Sequence, residues 1–334
     1  MAKLNKILIL AANCFSGQDL VDLMLEDPAS QIIGVGRSPE SSPAFARYKD
    51  NPHSQNFSYH QFDINTEAEA LLEFIDQEQP DAIVNFAAQG EVGTSWEHPE
   101  QWFETNAVAI ARLVNHLRQR DYIKKFLQIS TPEVYGSVTG GVTEDTPINP
   151  STPYAAAKAA GDLVLSAYAK QFNFPLVTVR ATNVYGPGQQ LYRIIPRTII
   201  RLKLGQKIEL HGGGIAEKSY IHIRDVSAGE LAILEKSSKG ETYHLSPGNS
   251  GIRICDLVAK ICQEMGRSFE ESTTMTGERP GQDGAYVIDS SKARETFNWA
   301  PKIDLDDGIK EVIEWVKHNW PEIKDSEMAY QYRP

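Results

Sequence analysis

The stretch that decides the fold is FLQISTPEVYGSVTGGVTEDTPINPSTPYAAAK, residues 126–158. Its first four residues form an apolar run with one polar interruption, which predicts a strand in a covered sheet. After Tyr154, small and apolar residues continue without glycine or proline to Ala160. Because Ala156, Ala160 and Leu163 keep a helical period, we predict a helix there.

Four side chains in this stretch carry reactive chemistry. On the predicted helix, Tyr154 and Lys158 lie one turn apart on one face. An ammonium that close favours the phenolate, so we predict that Lys158 lowers the pKa of Tyr154 towards the range where it can move protons. Thr131 and Glu133 follow the carboxyl end of the predicted strand, which is where open α/β sheets place ligands.

Length, charge and cysteine content bound the class of protein. The 334 residues suffice for one large or two modest domains, and the net charge of −11 argues against a nucleic-acid binder. A nucleotide ligand would then need a local cationic pocket. No apolar run approaches the length of a membrane span, and no signal peptide precedes the first strand. Cys14, Cys255 and Cys262 lack metal-ligand spacing, so we expect a cytoplasmic protein with no metal site and no membrane contact.

Alternating strand and helix patterns set the fold class. We predict an α/β protein with a doubly wound parallel (Rossmann) sheet and a smaller mixed C-terminal substrate domain. The predicted strands, with their exits, are residues 6–10, 31–38, 57–63, 80–89, 126–129, 177–180 and 241–245. We assign residues 1–181 and about 223–246 to the cofactor domain, and residues 182–222 and 247–324 to the substrate domain. The polar tail, 325–334, is expected to be disordered.

Several motifs together carry a family resemblance. Y-x-x-x-K on a helix after S-T-x-E-V-Y-G resembles the extended short-chain dehydrogenase/reductase family, and within it the nucleotide-sugar 4,6-dehydratases. N-V-Y-G-P at 183–187 and R-P-G-Q-D at 279–283 match the same family in order and spacing. The resemblance runs from the first strand to Trp315. It implies an enzyme that binds a nicotinamide dinucleotide and a nucleoside-diphosphate sugar, and a homodimer built on the helices at 99–118 and around Tyr154.

The cofactor is expected at the turn 11–17, because a strand, a tight turn and a helix open a dinucleotide-binding unit. The family has three glycines there, whereas this chain has Ala11, Cys14 and Gly17. After the second strand, Arg37 and Ser38 replace the acidic residue that binds the ribose of NAD, so we predict NADP ahead of NAD. The cofactor contacts that the resemblance implies are Ala11, Asn13, Cys14, Phe15, Ser16, Gly17, Arg37, Ser38, Asp63, Ile64, Phe86, Ala87, Ala88, Asn106, Tyr154 and Lys158.

The resemblance also implies a reaction. A hydride leaves sugar C4, a base removes the C5 proton, water leaves from C6, and the hydride returns to C6. Tyr154, helped by Lys158, takes the C4 hydroxyl proton, Thr131 hydrogen-bonds the same oxygen, and Glu133 is the C5 base. Relatives have Asp or Ser between these two residues, whereas Pro132 has no proton to give. Either Glu133 also acts as the acid, or water does so, or no water is eliminated.

The resemblance also implies contacts with the substrate, and more than one function stays open. The resemblance assigns the sugar nucleotide to Glu91, Ser95, Asn183, Ile195, Pro196, Lys218, Asn249 and Arg279. A 4-epimerase or a decarboxylase on the same scaffold stays open, as does a non-enzymatic NADP-binding protein. The carboxylate of Glu133 favours elimination or decarboxylation over simple epimerisation, and the motif at 279–283 then favours the dehydratase.

Overall fold

The structure is a computed structural model that describes residues 4–138, 141–248, 251–277 and 287–332. Its strands are β1 (Lys6–Leu10), β2 (Gln31–Gly36), β3 (Phe57–Gln61), β4 (Ala82–Asn85), β5 (Lys125–Ile129), β6 (Leu176–Ala181), β7 (Asn183–Tyr185), β8 (Ile208–His211), β9 (Glu217–Lys218), β10 (Tyr220–His222), β11 (Thr242–Leu245), β12 (Ile252–Arg253) and β13 (Thr273–Thr276). Its α-helices are α1 (Phe15–Met24), α2 (Ala68–Glu78), α3 (Pro99–Phe103), α4 (Ala109–Leu117), α5 (Pro153–Phe172), α6 (Ile194–Lys203), α7 (Ile223–Lys236), α8 (Ile254–Glu264), α9 (Phe269–Ser272), α10 (Ser291–Phe297), α11 (Leu305–His318) and α12 (Trp320–Ile323).

Seven strands form one parallel sheet in the order β11-β6-β5-β4-β1-β2-β3. The predicted doubly wound parallel sheet is therefore confirmed, including the late strand that returns to it. The strand order reverses between β1 and β4, which opens a crevice at the carboxyl ends of the strands. The fold thus places the residues after β1, β4 and β5 at one edge of the sheet.

Alternating side chains of β1 explain why helices cover both faces of the sheet. Ile7 and Ile9 belong to the core shared with α1 and α7, whereas Leu8 and Leu10 belong to the core shared with α2, α4 and α5. All four are almost completely buried, as expected for a strand between two helical layers.

A second hydrophobic core lies in the chain after β6. It joins α6, α8 and α11 through Ile199, Leu257, Ile261, Ile309 and Val312. The short pairs β7–β10, β8–β13 and β9–β12 flank it. This core agrees with a separate substrate region, and the domain boundaries stay a prediction.

The helix that carries Tyr154 begins and packs as its local sequence dictates. Thr152 caps α5 by accepting a hydrogen bond from the backbone of Ala155, and Pro153 occupies the first turn. A Cβ on Gly161 would lie 2.2 Å from the carbonyl oxygen of Asn106, so only glycine allows this close contact. Asn106 lies in a π-helical segment, Glu104–Val108, that joins α3 to α4. The predicted helix at 99–118 therefore contains a bulge against α5.

The tail differs from its prediction. Residues 327–332 lie against the body of the protein, and Met328, Tyr330 and Tyr332 are half-buried. The structure thus differs from the predicted disorder in this segment, because Met328, Tyr330 and Tyr332, at every second position, supply one apolar face to an otherwise polar stretch.

Candidate active site

One cavity of about 850 Å³ opens at the carboxyl ends of the sheet and extends into the second region. Cys14, Phe15 and Ser16 line one part, Thr131, Glu133 and Tyr154 line another, and α6 and β8 form the opposite wall. A cofactor site and a reactive site thus share one space, which is the arrangement that a hydride-transfer enzyme needs.

A short 3-10 turn presents Glu133 to the cavity. Thr131 caps this turn, Pro132–Tyr135, by accepting a hydrogen bond of 3.2 Å from the backbone nitrogen of Glu133. Pro132 occupies its first position, where the missing N–H costs nothing and the fixed φ holds the chain. The turn keeps Thr131 and Glu133 at the same end of the cavity, as the sequence predicts.

Tyr154 lies beside both of these residues. Burial raises the pKa of Tyr154 far above its usual range, and the nearby carboxylate of Glu133 raises it further. A hydrogen bond with the side chain of Thr131 opposes this rise. Thr131, Glu133 and Tyr154 thus lie next to one another in the wall of the cavity.

Lys158 lies one turn along α5 but does not lower the pKa of Tyr154 in this arrangement. Its ammonium donates a 2.8 Å hydrogen bond to the carbonyl oxygen of Ile129, and burial lowers its own pKa. The prediction that Lys158 lowers the pKa of Tyr154 is therefore wrong here. Burial has the largest effect on the pKa of Tyr154 and on the pKa of Lys158, and the burial of a helical face depends on the tertiary structure.

A buried ion pair between Asp162 and Arg180 lies close to Lys158. Asp162 accepts hydrogen bonds from Arg180 at 2.8 Å and from Ser130 at 2.6 Å. Arg180 also donates a 2.6 Å bond to the phenol oxygen of Tyr135. The negative charge of Asp162 raises the pKa of Lys158 against the effect of burial, whereas the positive charge of Arg180 lowers it.

The turn after β1 fits a dinucleotide without its usual glycines. Ala11 adopts φ 57°, the left-handed conformation that a glycine favours. Gly17 is required, since a Cβ there would lie 2.8 Å from the oxygen of Ala11 and 2.9 Å from the Cα of Ala12. Cys14 caps α1 by accepting a hydrogen bond from Gly17, and burial raises the pKa of its thiol to about 11. The cap is therefore neutral, and the helix N-terminus can bind a pyrophosphate.

Side chains that the sequence assigns to the cofactor also hold the loops around this turn. Asn13 accepts a 2.8 Å bond from the backbone of Ser41 and donates a 2.7 Å bond to Pro39, so it fixes the loop that carries Arg37 and Ser38. Asp63 accepts backbone bonds from Asn65 and Thr66, and Ile64 packs on the adjacent core.

The exit of β4 is fixed by Asn106. Its amide accepts a 2.8 Å bond from the backbone nitrogen of Gln89 and returns a 3.0 Å bond to the same residue. Phe86, Ala87 and Ala88 precede Gln89, so the π-helical segment sets the path of the small residues predicted to approach the cofactor. Asn106 is buried and does not line the cavity.

Glu91 and Ser95 have structural partners in the next turn. Glu91 accepts bonds from Thr94 and Gly93. Burial alone would raise the pKa of Glu91, but these bonds outweigh it and lower the pKa. Ser95 is fully buried, where its hydroxyl donates to Val92 and accepts from the backbone nitrogen of Tyr154 at 3.2 Å. Glu91 lines the cavity, whereas Ser95 positions the start of α5.

The second region supplies cations that the sequence analysis did not single out. Arg193, the N-cap residue of α6, is followed at intervals of four residues by Arg197 and Arg201 within the helix, and all three line the cavity together with Lys218. That spacing is a visible signal for one helical face, but the sequence does not show which face meets the site. The cavity lining has four cations and three carboxylates, within a protein of net charge −11.

The remaining predicted substrate residues divide into three groups. Asn183, Ile195 and Lys218 line the cavity, and the amide of Asn183 donates to the carbonyl of Ser219 at 3.1 Å. Pro196 is buried in the first turn of α6. Asn249 and Arg279 lie outside the described residues.

The described part of the chain contains no group of three or more His, Cys, Asp or Glu side chains that could hold a metal ion. Its helices include none that is both long and apolar enough to cross a membrane.

These features define a class: a dinucleotide-binding α/β protein with a Tyr–Lys pair on the helix after β5, as in short-chain dehydrogenases/reductases. A family model described as GDP-mannose 4,6 dehydratase matches residues 8–312. A curated dTDP-glucose 4,6-dehydratase of Xanthomonas campestris pv. campestris is 32% identical, over 75% of this chain and 76% of that protein. The chain belongs to the GDP-mannose 4,6 dehydratase family, which confirms the resemblance.

Solved structures show the same fold. A dTDP-glucose 4,6-dehydratase of Streptomyces venezuelae with NAD bound is 26% identical, with a TM-score of 0.86 over 95% of this chain and 98% of that chain. A UDP-glucuronic acid 4-epimerase of Bacillus cereus, in complex with UDP-glucuronic acid and NAD, is 27% identical, with a TM-score of 0.83 over 94% of this chain and 99% of that chain. Both of these solved structures thus hold a nicotinamide dinucleotide in the same fold.

Proposed function

We propose that this chain is a nucleotide-sugar 4,6-dehydratase, which converts a nucleoside-diphosphate hexose to its 4-keto-6-deoxy product. The observation that carries the proposal is the meeting of Thr131, Glu133 and Tyr154 at one end of a single cavity. A hydroxyl, a carboxylate and a phenol at one point can address adjacent carbons of one sugar. The similarity to curated dTDP-glucose 4,6-dehydratases supports the same conclusion.

The substrate class follows from charge. Arg193, Arg197, Arg201 and Lys218 form a cationic wall in an acidic protein, and arginine suits the planar recognition of phosphate oxygens. We assign the diphosphate to this wall, the sugar to the end with Tyr154, and the base to the part lined by β8. Residues 182–222 and 247–324 are the proposed nucleotide-sugar-binding region.

The bound nicotinamide cofactor supplies reversible hydride acceptance. Tyr154 exchanges a proton with the C4 hydroxyl, and Thr131 holds the same oxygen. The carbonyl oxygen of Ile129 holds the ammonium of Lys158 in place, and this ammonium gives the site a positive charge. Oxidation at C4 makes the C5 proton acidic, so the next step needs a carboxylate base.

Glu133 is the carboxylate that can perform this step. Of the three carboxylates that line the cavity, Glu91 is bonded within its own turn and Glu209 lies on β8 in the second region. Pro132 carries no acidic proton. We therefore assign both proton transfers of the elimination to Glu133: it takes the C5 proton, and that proton leaves with the C6 hydroxyl as water. The hydride taken from C4 then returns to C6, and C5 takes up a proton from solvent, which completes the 4-keto-6-deoxy product.

We propose NADP as the cofactor, although the similar solved structures contain NAD. Arg37 and Ser38 follow β2, where an acidic side chain would repel a 2′-phosphate. Titration of both cofactors into the apoprotein should show tighter NADP binding that Arg37→Ala removes. Equal or tighter binding of NAD, with no effect of Arg37→Ala, would contradict this choice.

We also propose a homodimer that pairs the faces of α4, α5 and the π-helical segment. Large apolar side chains are exposed at the end of α3 (Phe103), in the π-helical segment (Val108) and on α5 (Leu163 and Phe172), and a twofold contact is the commonest oligomer. Leu163→Glu should shift the protein to a monomer in light scattering, and a wild-type monomer at micromolar concentration would contradict the proposal. The three free thiols agree with a cytoplasmic location.

A 4-epimerase is the second candidate, since a UDP-glucuronic acid 4-epimerase has the same fold at similar identity. The two functions differ in their product. The purified protein should be incubated with dTDP-glucose, GDP-mannose and UDP-sugars, and the products analysed by mass spectrometry and by proton NMR. Loss of the mass of one water supports the dehydratase. A product of unchanged mass with inverted C4 supports the epimerase.

A further inference from the structure

Residues 327–332, the tail segment, lie against the body of the protein and contribute to the lining of the cavity. Met328, Tyr330 and Tyr332 are half-buried, whereas Glu327, Ala329 and Gln331 are exposed. This period of two turns every second side chain towards the protein. Met328, Ala329 and Tyr330 line the same cavity as Thr131, Glu133 and Tyr154.

Tyr332 anchors the tail segment. Its ring stacks on His98 with 4.8 Å between centroids and an 11° angle, and on Trp102 at 6.0 Å and 1°. Trp102 is fully buried, so this anchor rests on a fixed part of the protein. The phenol of Tyr332 also bonds to the side chain of Gln101. The tail segment thus joins the second region to α3 of the sheet domain.

Tyr330 lines the cavity beside Tyr192 and close to Glu91. Its ring packs edge-to-face on Tyr192 at 5.4 Å, and its phenol lies 3.5 Å from the carbonyl oxygen of Gly90. Gly90 opens the same turn that holds Ser95, whose hydroxyl accepts the backbone N–H of Tyr154. The turn beneath Tyr330 therefore reaches the start of the catalytic helix.

We propose that Tyr330 is a substrate-contacting residue whose phenol donates a hydrogen bond to a hydroxyl group of the hexose. The inference rests on the proposed function and extends it to a specificity residue. A donor at 3.5 Å from its acceptor is at the limit of a hydrogen bond, so the phenol can make a better bond to a sugar oxygen. Burial raises the pKa of Tyr330, so the phenol keeps its proton at neutral pH.

The test separates sugar contact from packing. Binding of dTDP-glucose and of dTDP, which lacks the sugar, should be measured by calorimetry, with GDP-mannose and GDP as a second pair. Tyr330→Phe should weaken binding of the hexose nucleotide by about three- to tenfold, and binding of the matching diphosphate by less than twofold. Tyr332→Ala should give the same selective loss, since it releases the anchor. Gln331→Ala, at an exposed position between them, is the control and should change neither affinity.

Two results would contradict the proposed contact between Tyr330 and the sugar. Equal losses for the hexose nucleotide and the diphosphate would show that Tyr330 only packs the cavity wall, and no loss would show that it does not touch the sugar. Either result overturns the inference while the wild-type protein still makes the 4-keto product. If the wild-type protein neither binds nor converts the hexose nucleotides, the proposed function itself fails and this inference fails with it.

Discussion

Replacing Arg180 by methionine should strongly destabilise the protein, because it leaves a buried carboxylate without its cation. Arg180 and Asp162 are 2.8 Å apart, with side-chain exposures of 6% and 5%. Breaking such a pair on one side costs roughly 3–5 kcal/mol, whereas replacing both partners by apolar groups costs less. The remaining Ser130 hydroxyl, 2.6 Å from Asp162, and the nearby Lys158 compensate only in part.

Urea unfolding followed by tryptophan fluorescence measures the effect. Arg180→Met should lower the free energy of unfolding by about 3–5 kcal/mol, and the double variant Asp162→Leu/Arg180→Met should recover part of that loss. Lys310→Met, which removes one partner of the exposed pair with Asp307, is the matched control and should leave the urea midpoint nearly unchanged. An Arg180→Met midpoint close to that of Lys310→Met would refute the reasoning.

Two further predictions concern pH and the cofactor turn. Burial lowers the pKa of His222 and of His244 to about 4. Between pH 6.5 and 4 the unfolded chain therefore binds more protons than the folded protein, so the free energy of unfolding falls as the pH drops. The fall is at most about 1.4 kcal/mol per pH unit for each histidine. His244→Gln should therefore reduce the difference in urea midpoint between pH 7.5 and 5, and an unchanged difference would count against the assignment. Gly17→Ala should weaken dinucleotide binding at least about tenfold, because its Cβ meets backbone 2.8 Å away. Gly141→Ala, whose Cβ has no atom of the described residues within 4 Å, should bind normally, and equal affinities of the two variants would contradict the close-packing argument.

The sequence predicts those parts of the fold that depend on local pattern. Apolar runs identify the strands of the central sheet because both faces of that sheet are covered. The start of α5 follows from Thr152 and Pro153, a capping residue and a first-turn proline that act within one turn of the chain. The turn with Thr131 and Glu133 follows from the strand end and Pro132.

Other features depend on contacts between distant segments and leave a weak local signal or none. The pKa of Tyr154 is set by burial, which the position on a helix does not reveal. Arg193, Arg197 and Arg201 share a helical face in the sequence, but only the packing of α6 against the cavity gives that face a role. The tail segment looks polar because its apolar residues alternate with polar ones, and the stacking of Tyr332 on Trp102 forms only in the folded chain.

The central claim is that Glu133 separates dehydration from simple oxidation at C4. The most direct measurement follows Glu133→Gln with a hexose nucleotide that the wild-type protein converts, in deuterated water. Cofactor absorbance near roughly 340 nm reports hydride transfer, and mass spectrometry reports deuterium at C5 and loss of water. We predict that reduction of the bound cofactor survives while exchange at C5 and water loss fall by about 10²–10⁴. A Glu133→Gln protein that makes the 4-keto-6-deoxy product at close to the wild-type rate would contradict the account.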